Sequence, residues 1–155
     1  MEIQVTWASE SGPTEISAFD KALHSAGISD FNLIPLSSVV PTGSKIVFKK
    51  PAKDDNKIGH RLYVVLSCRF ATVVGEEAWA GLGWAQREDG SGIFVEPNAS
   101  TEKDLRAKIN GSIESMLQYR TGKFSSIGTK IVGADCVDDY SVCALVCAVF
   151  KSEKW

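Results

Sequence analysis

The chain is poor in the residues that build metal sites and cross-links. It has two histidines, His24 and His60, and four cysteines, Cys68, Cys136, Cys143 and Cys147. None of these falls at a zinc-ligand spacing, so no metal is expected. The cysteines fit reduced thiols better than a disulfide framework. Cys143 and Cys147 sit in one apolar run, on the same face of a strand but ~13 Å apart along it, too far to bridge. Charge of one sign is also missing: 17 Lys and Arg against 19 Asp and Glu leave a net charge of −2. That gives no basic footprint for nucleic acid or an anionic membrane. No apolar run approaches the ~20 residues of a membrane helix. Met1-Glu2-Ile3-Gln4-Val5 lacks the basic start and apolar core of a secretion signal, so a cytoplasmic location is expected.

What is present suits one folded domain spanning residues 1–155, with 44% hydrophobic and 23% charged residues. Ile3, Val5 and Trp7 alternate with polar residues and predict a strand over Glu2 to Ala8, followed by a loop at 9–13. Thr14 is a candidate N-cap and Gly27 a candidate C-terminal stop for a first helix. Phe31 to Leu36, Ile46 to Phe48, Arg61 to Cys68, Glu77 to Gln86 and Ile93 to Glu96 read as strands, with a hairpin turn at Asp89-Gly90. The Lys-rich stretch from Lys45 to Lys57 reads mostly as a solvated loop. Thr101 caps a second helix whose predicted inner face is Leu105, Ile109, Ser112, Ile113, Met116 and Tyr119, ending at Gly122. Two strands, Ile127 to Ala134 and Val142 to Phe150, close the chain. The fold class is α+β, a layered sandwich with helices packed on a mostly antiparallel or mixed sheet.

The residues with chemical potential begin with Ser37-Ser38, which follows an apolar strand. The hydroxyl of a second serine can attack the carbonyl of the first, convert the amide to an ester, and end as a pyruvoyl group. A serine pair is common, and Ser125-Ser126 repeats it; its neighbours distinguish it. Asn32 lies five residues upstream, where its amide can support a forming oxyanion. Asp20 shares a helix stripe with Ile16 and Leu23, so a half-buried carboxylate is expected there, suited to a two-pronged contact with a guanidinium. Glu96 closes the apolar run Ile93-Phe94-Val95, surroundings that suit a carboxyl for proton donation.

Two segments, Thr14 to Ile28 and Asn32 to Pro41, resemble the pyruvoyl-dependent arginine decarboxylases. The shared pattern is Ala18-Phe19-Asp20, Ala22-Leu23, Ala26-Gly27-Ile28, Asn32-Leu33-Ile34, Ser37-Ser38 and Pro41. Gly75-Glu76-Glu77 and Ile93 to Glu96 match more loosely. The resemblance implies self-cleavage between Ser37 and Ser38 into a small subunit, 1–37, and a large subunit, 38–155. Ser38 would then carry a covalent pyruvoyl cofactor. It implies that Asn32 assists cleavage and lines the site, that Asp20 meets the guanidinium, and that Ile16 and Leu23 flank the aliphatic part of the substrate. Glu96 would protonate the decarboxylated intermediate. The implied activity is decarboxylation of L-arginine to agmatine by a homotrimer with sites at subunit boundaries. Phe31 stands where the family carries a small aliphatic residue, which leaves another amino acid open as substrate. An unprocessed, non-catalytic homologue is the remaining alternative.

Overall fold

The computed structural model describes all residues from 1 to 155. Strand β1 (Glu2–Gly12) is followed by helix α1 (Glu15–Ala26), short strands β2 (Asn32–Pro35), β3 (Val39–Val40) and β4 (Lys45–Phe48), and long strands β5 (Arg61–Ala71) and β6 (Glu77–Gln86). Then come β7 (Gly92–Val95), β8 (Asn98–Ala99), helix α2 (Glu102–Leu117), β9 (Gly128–Asp135) and β10 (Ser141–Glu153). The strands form two stacked sheets. The first is mixed, in the order β2-β5-β10-β1-β4, with β2 and β4 parallel to their neighbours. The second is antiparallel, with β6 at its centre between β9 on one side and β7 and β8 on the other.

Helix α1 covers the outer face of the first sheet and α2 that of the second, giving four layers in the order α, β, β, α. This is why β10 reads as an unbroken apolar run: every residue from Val142 to Phe150 is buried. Val142, Ala144, Val146, Ala148 and Phe150 pack between the sheets. Cys143, Leu145, Cys147 and Val149 pack under α1. A strand buried on both faces loses the usual polar alternation. The cysteines are all free thiols; Cys68 and Cys143 hold their sulfurs 3.5 Å apart.

The local signals work as expected at the helix starts. Thr14 accepts from the Ser17 N–H while Ser17 returns a bond to Thr14, closing a capping box, and Gly27 ends α1 at φ 80°. Thr101 caps α2 through the Asp104 N–H. Gly90, at φ 81°, makes the turn between β6 and β7.

Other expectations need correction. β1 continues through residues 9–12 because β10 is long enough to pair with it as far as Gly12↔Ser141. α2 ends at Leu117, where Arg120 donates to the Met116 carbonyl and stops the ladder. Its buried face is Leu105, Ile109 and Ile113, while Ser112 and Tyr119 are exposed. In α1 the buried residues are Ala18, Ala22, Leu23 and Ala26; Ile16 is 82% exposed and Asp20 is exposed. Alanines form the inner stripe because they let the helix axis approach the sheet, which rotates Ile16 and Asp20 outward.

α2 also sits close to its sheet, over Gly81 and Gly83. A Cβ at Gly83 would collide with Ile109 and press on Ile113. Overpacking of this kind costs about 1–3 kcal/mol. Gly83→Ala should lower the free energy of unfolding by that amount in urea titration.

Candidate active site

The chain changes sheets at the serine pair. β2 belongs to the first sheet, and its last bond there runs from the Leu36 N–H to the Val64 carbonyl, 2.9 Å. β3 belongs to the second sheet, where Val39 pairs with Ile93. Only Leu36, Ser37 and Ser38 are left to cross between sheets that stack ~10 Å apart. The crossing forces a sharp bend, and Ser38 takes it up: its φ of 66° makes it the one non-glycine residue in the left-handed region. That conformation costs an L-residue about 1–2 kcal/mol. The strain is held by the bond from the Phe94 N–H to the Ser38 carbonyl, 2.8 Å, which continues the β3–β7 ladder. Ser38 is 9% exposed, whereas Ser37 before it is open to solvent. The Ser37–Ser38 peptide bond therefore joins an exposed residue to a buried, strained one.

Glu96 reaches Ser38 from an interruption in the opposite strand. Gly83 pairs with Val95 and Ala80 with Asn98 in one unshifted register, so β7 and β8 are a single strand seen from β6, broken at Glu96 and Pro97. Pro97 has no N–H to give the ladder, so a break falls there. Freed from the sheet, Glu96 accepts a hydrogen bond from the Ser38 hydroxyl at Oε2, 2.8 Å. Glu96 is exposed, not enclosed by the apolar run that precedes it. Ser37, Ser38, Phe94 to Pro97, and Ser112 and Met116 of α2 line an open cleft of about 420 Å³. That volume lies within the ~300–1,000 Å³ of small-molecule sites.

The other expected site residues lie elsewhere in the chain. Asn32, on β2, donates its side-chain amide to the Gly59 carbonyl, 2.7 Å. Ile16 and Asp20 face outward on α1, and Leu23 is buried beneath it. Phe31 packs into the α1 layer. A single chain thus joins Ser38 to Glu96 and leaves Asn32, Asp20 and Ile16 on the surface of the other half. Ser112 and Met116 were not expected in the cleft. Their spacing of one helical turn assigned them to the core; a serine within an apolar stripe was the available signal that this edge faces something else.

The arrangement fits a pyruvoyl group made at position 38. The Ser38 hydroxyl meets a carboxylate acceptor, the preceding residue is exposed, and a cleft opens beside both.

A family model described as pyruvoyl-dependent arginine decarboxylase matches residues 2–154. The chain is 34% identical over 136 residues to the pyruvoyl-dependent arginine decarboxylase of Halobacterium salinarum, covering 86% of this chain and 84% of that protein. It is 47% identical over 119 residues to that of Methanothermobacter thermautotrophicus, covering 77% and 74%. Pyruvoyl-dependent arginine decarboxylase 2 of Archaeoglobus fulgidus is 37% identical over 111 residues, covering 70% and 71%.

The strain at Ser38 has a direct test. Ser38→Ala and Ser38→Gly both remove the hydroxyl and so remain single chains, but only glycine relaxes the left-handed backbone. Ser38→Gly should be the more stable of the two by about 1 kcal/mol in urea unfolding; equal stabilities would place no strain there.

Proposed function

The chain belongs to the pyruvoyl-dependent arginine decarboxylase family, and on that premise we propose that it cleaves itself between Ser37 and Ser38 and then converts L-arginine to agmatine and carbon dioxide. The observation that carries this reading is the strained Ser38 with its hydroxyl on Glu96.

In the cleavage step the Ser38 oxygen adds to the Ser37 carbonyl carbon while Glu96 receives the hydroxyl proton. The Ser37–Ser38 amide bond breaks, leaving an ester and a free amine on Ser38. Loss of the Ser38 α-hydrogen then expels Ser37 as a carboxylate. One water hydrolyses the dehydrated residue, releasing ammonia and leaving an α-keto acyl group at the head of 38–155. Relief of the left-handed backbone, about 1–2 kcal/mol, favours leaving the starting state. Asn32, exposed on the other half of this chain with its amide on Gly59, would support the oxyanion in this reading from a neighbouring copy, as its place in the family pattern implies.

When formed, the pyruvoyl group supplies a carbonyl that takes up the substrate's α-amine and draws in the electrons left by carbon dioxide. Glu96, beside position 38, then delivers a proton to the former α-carbon. Pro97, Ser112 and Met116 wall the cleft on the α2 side. Asp20 holds the guanidinium, with Ile16 along the aliphatic stem; Leu23, buried beneath α1, backs this face from the core. The outward placement of Asp20 and Ile16 supports a site completed by a neighbouring copy; the homotrimer of cleaved chains is what the family resemblance implies. Arginine is favoured over another amino acid because each relative above is an arginine decarboxylase, and an unprocessed homologue is not favoured. A cytoplasmic location is part of this proposal; no helix is long and apolar enough to cross a membrane.

Denaturing mass spectrometry tests the first step. Two pieces, residues 1–37 and 38–155, with the larger blocked to amino-terminal sequencing, are expected. An intact 16.8 kDa chain as the sole species would sink the enzyme reading. Carbon dioxide release from a panel of amino acids should select arginine. Per mole of cleaved protein, Glu96→Gln should slow release by at least ~10²-fold. Asp20→Asn should raise KM for arginine by roughly tenfold or more, the value of a charged hydrogen bond. Unchanged constants would remove either residue from its role.

A further inference from the structure

Glu96 meets Ser38 at a break in its strand, and a single buried hydroxyl borders that break. Ser67 lies on β5, in the opposite sheet, and is 1% exposed. Its side chain crosses the layer between the sheets and donates to the Pro97 carbonyl, 2.7 Å. The same oxygen accepts the Gly81 N–H, 3.0 Å. The direct ladder bond from Gly81 to Pro97 is present but stretched to 3.3 Å. Ser67 is thus wedged into the ladder bond at Pro97, on one side of Glu96. Two residues further along β5, Arg69 donates to the Asn98 side chain, 3.2 Å, so the strand end after the break is gripped from the same side.

A backbone bond of this kind would close to normal length if it were left alone. Closing it would draw Pro97 toward β6 and carry Glu96, the next residue, with it. A hydroxyl that both donates to Pro97 and accepts from Gly81 keeps both backbone groups satisfied while holding them apart. A methyl in its place would satisfy neither, and the direct bond would tighten.

We propose that Ser67 is a positioning residue for Glu96: its buried hydroxyl holds the Glu96–Pro97 strand break open so that the carboxylate meets position 38. This rests on the reading of Ser38 and Glu96 given above. Ser67 touches neither the substrate nor the cofactor position; it acts through the Pro97 carbonyl and the backbone between them. Misplacement of a reacting group by about 1 Å can cost 10²-fold in rate.

The test compares Ser67→Thr with Ser67→Val, which have the same shape and crowd the interior equally but differ in the hydroxyl. Self-cleavage is followed by denaturing mass spectrometry. Carbon dioxide release is measured per mole of cleaved protein. Ser67→Val should cleave, and turn over, at least ~10-fold more slowly than Ser67→Thr, with the loss in kcat and KM for arginine within about twofold. Equal rates in the two variants would overturn the proposal, as would a loss confined to KM. Should the added methyl prevent both from folding, Ser67→Ala decides: wild-type rates in a cooperatively folded Ser67→Ala protein would overturn it, and a tenfold loss would support it. A wild-type chain that never cleaves would instead refute the self-cleavage reading itself, and so is told apart from failure of the Ser67 role.

Discussion

The distance between two sheets, and the three residues allowed to cover it, is the constraint on which the site depends. Leu36, Ser37 and Ser38 carry the chain from β2 to β3, and both ends are fixed by backbone ladders. A flexible loop would absorb the crossing without strain. A short one concentrates the bend at a single residue, and Ser38 bears it at φ 66°. The local cost, about 1–2 kcal/mol, is small against the burial of β10 and the core between the sheets, so the fold imposes it without difficulty. The strain therefore persists because the surrounding packing overdetermines it.

A second discontinuity faces the first. The strand formed by β7 and β8 breaks at Glu96 and Pro97 without losing register. One break yields the hydroxyl and the other the carboxylate, and the Phe94 bond to Ser38 sets the two in phase. Proline explains why a ladder bond is missing; it does not explain why the gap stays open. That is a tertiary matter, settled by Ser67 from the facing sheet. The proposed chemistry sits where regular structure is interrupted, and rigid neighbours on both sides keep each interruption in place.

Much of the frame was legible from local chemistry. Thr14 and Thr101 announced helix starts because a hydroxyl at the N-cap meets N–H groups that have no other partner, and Gly27 announced a stop because only glycine takes the left-handed cap cheaply. Asp89-Gly90 marked its hairpin for a similar reason. The two-residue strands β3 and β8 carried no such signal, since a pair of residues has no period to read. Periodicity also misassigned the outer edges of both helices. Ile16, Ser112 and Tyr119 lie on or beside apolar stripes, yet the side that touches the sheet is chosen by the small residues: Ala18 and Ala22 in α1, and Gly81 and Gly83 beneath α2.

The sequence by itself determined the family and the α+β class, and it singled out Ser38 and Glu96 as candidates, because a specific pattern of residue types at fixed spacing is a property of the chain alone. It also carried Asn32 and Asp20 as parts of that pattern. Only the tertiary structure decided which of them meet. Ser38 and Glu96 are 58 positions apart and become neighbours through the β3–β7 ladder. Asn32 is much closer to Ser38 in sequence, yet it stays in the other sheet with its amide on Gly59. The physical reason is that a ladder register acts across the chain, and nothing in a serine pair states which strand it will lie against.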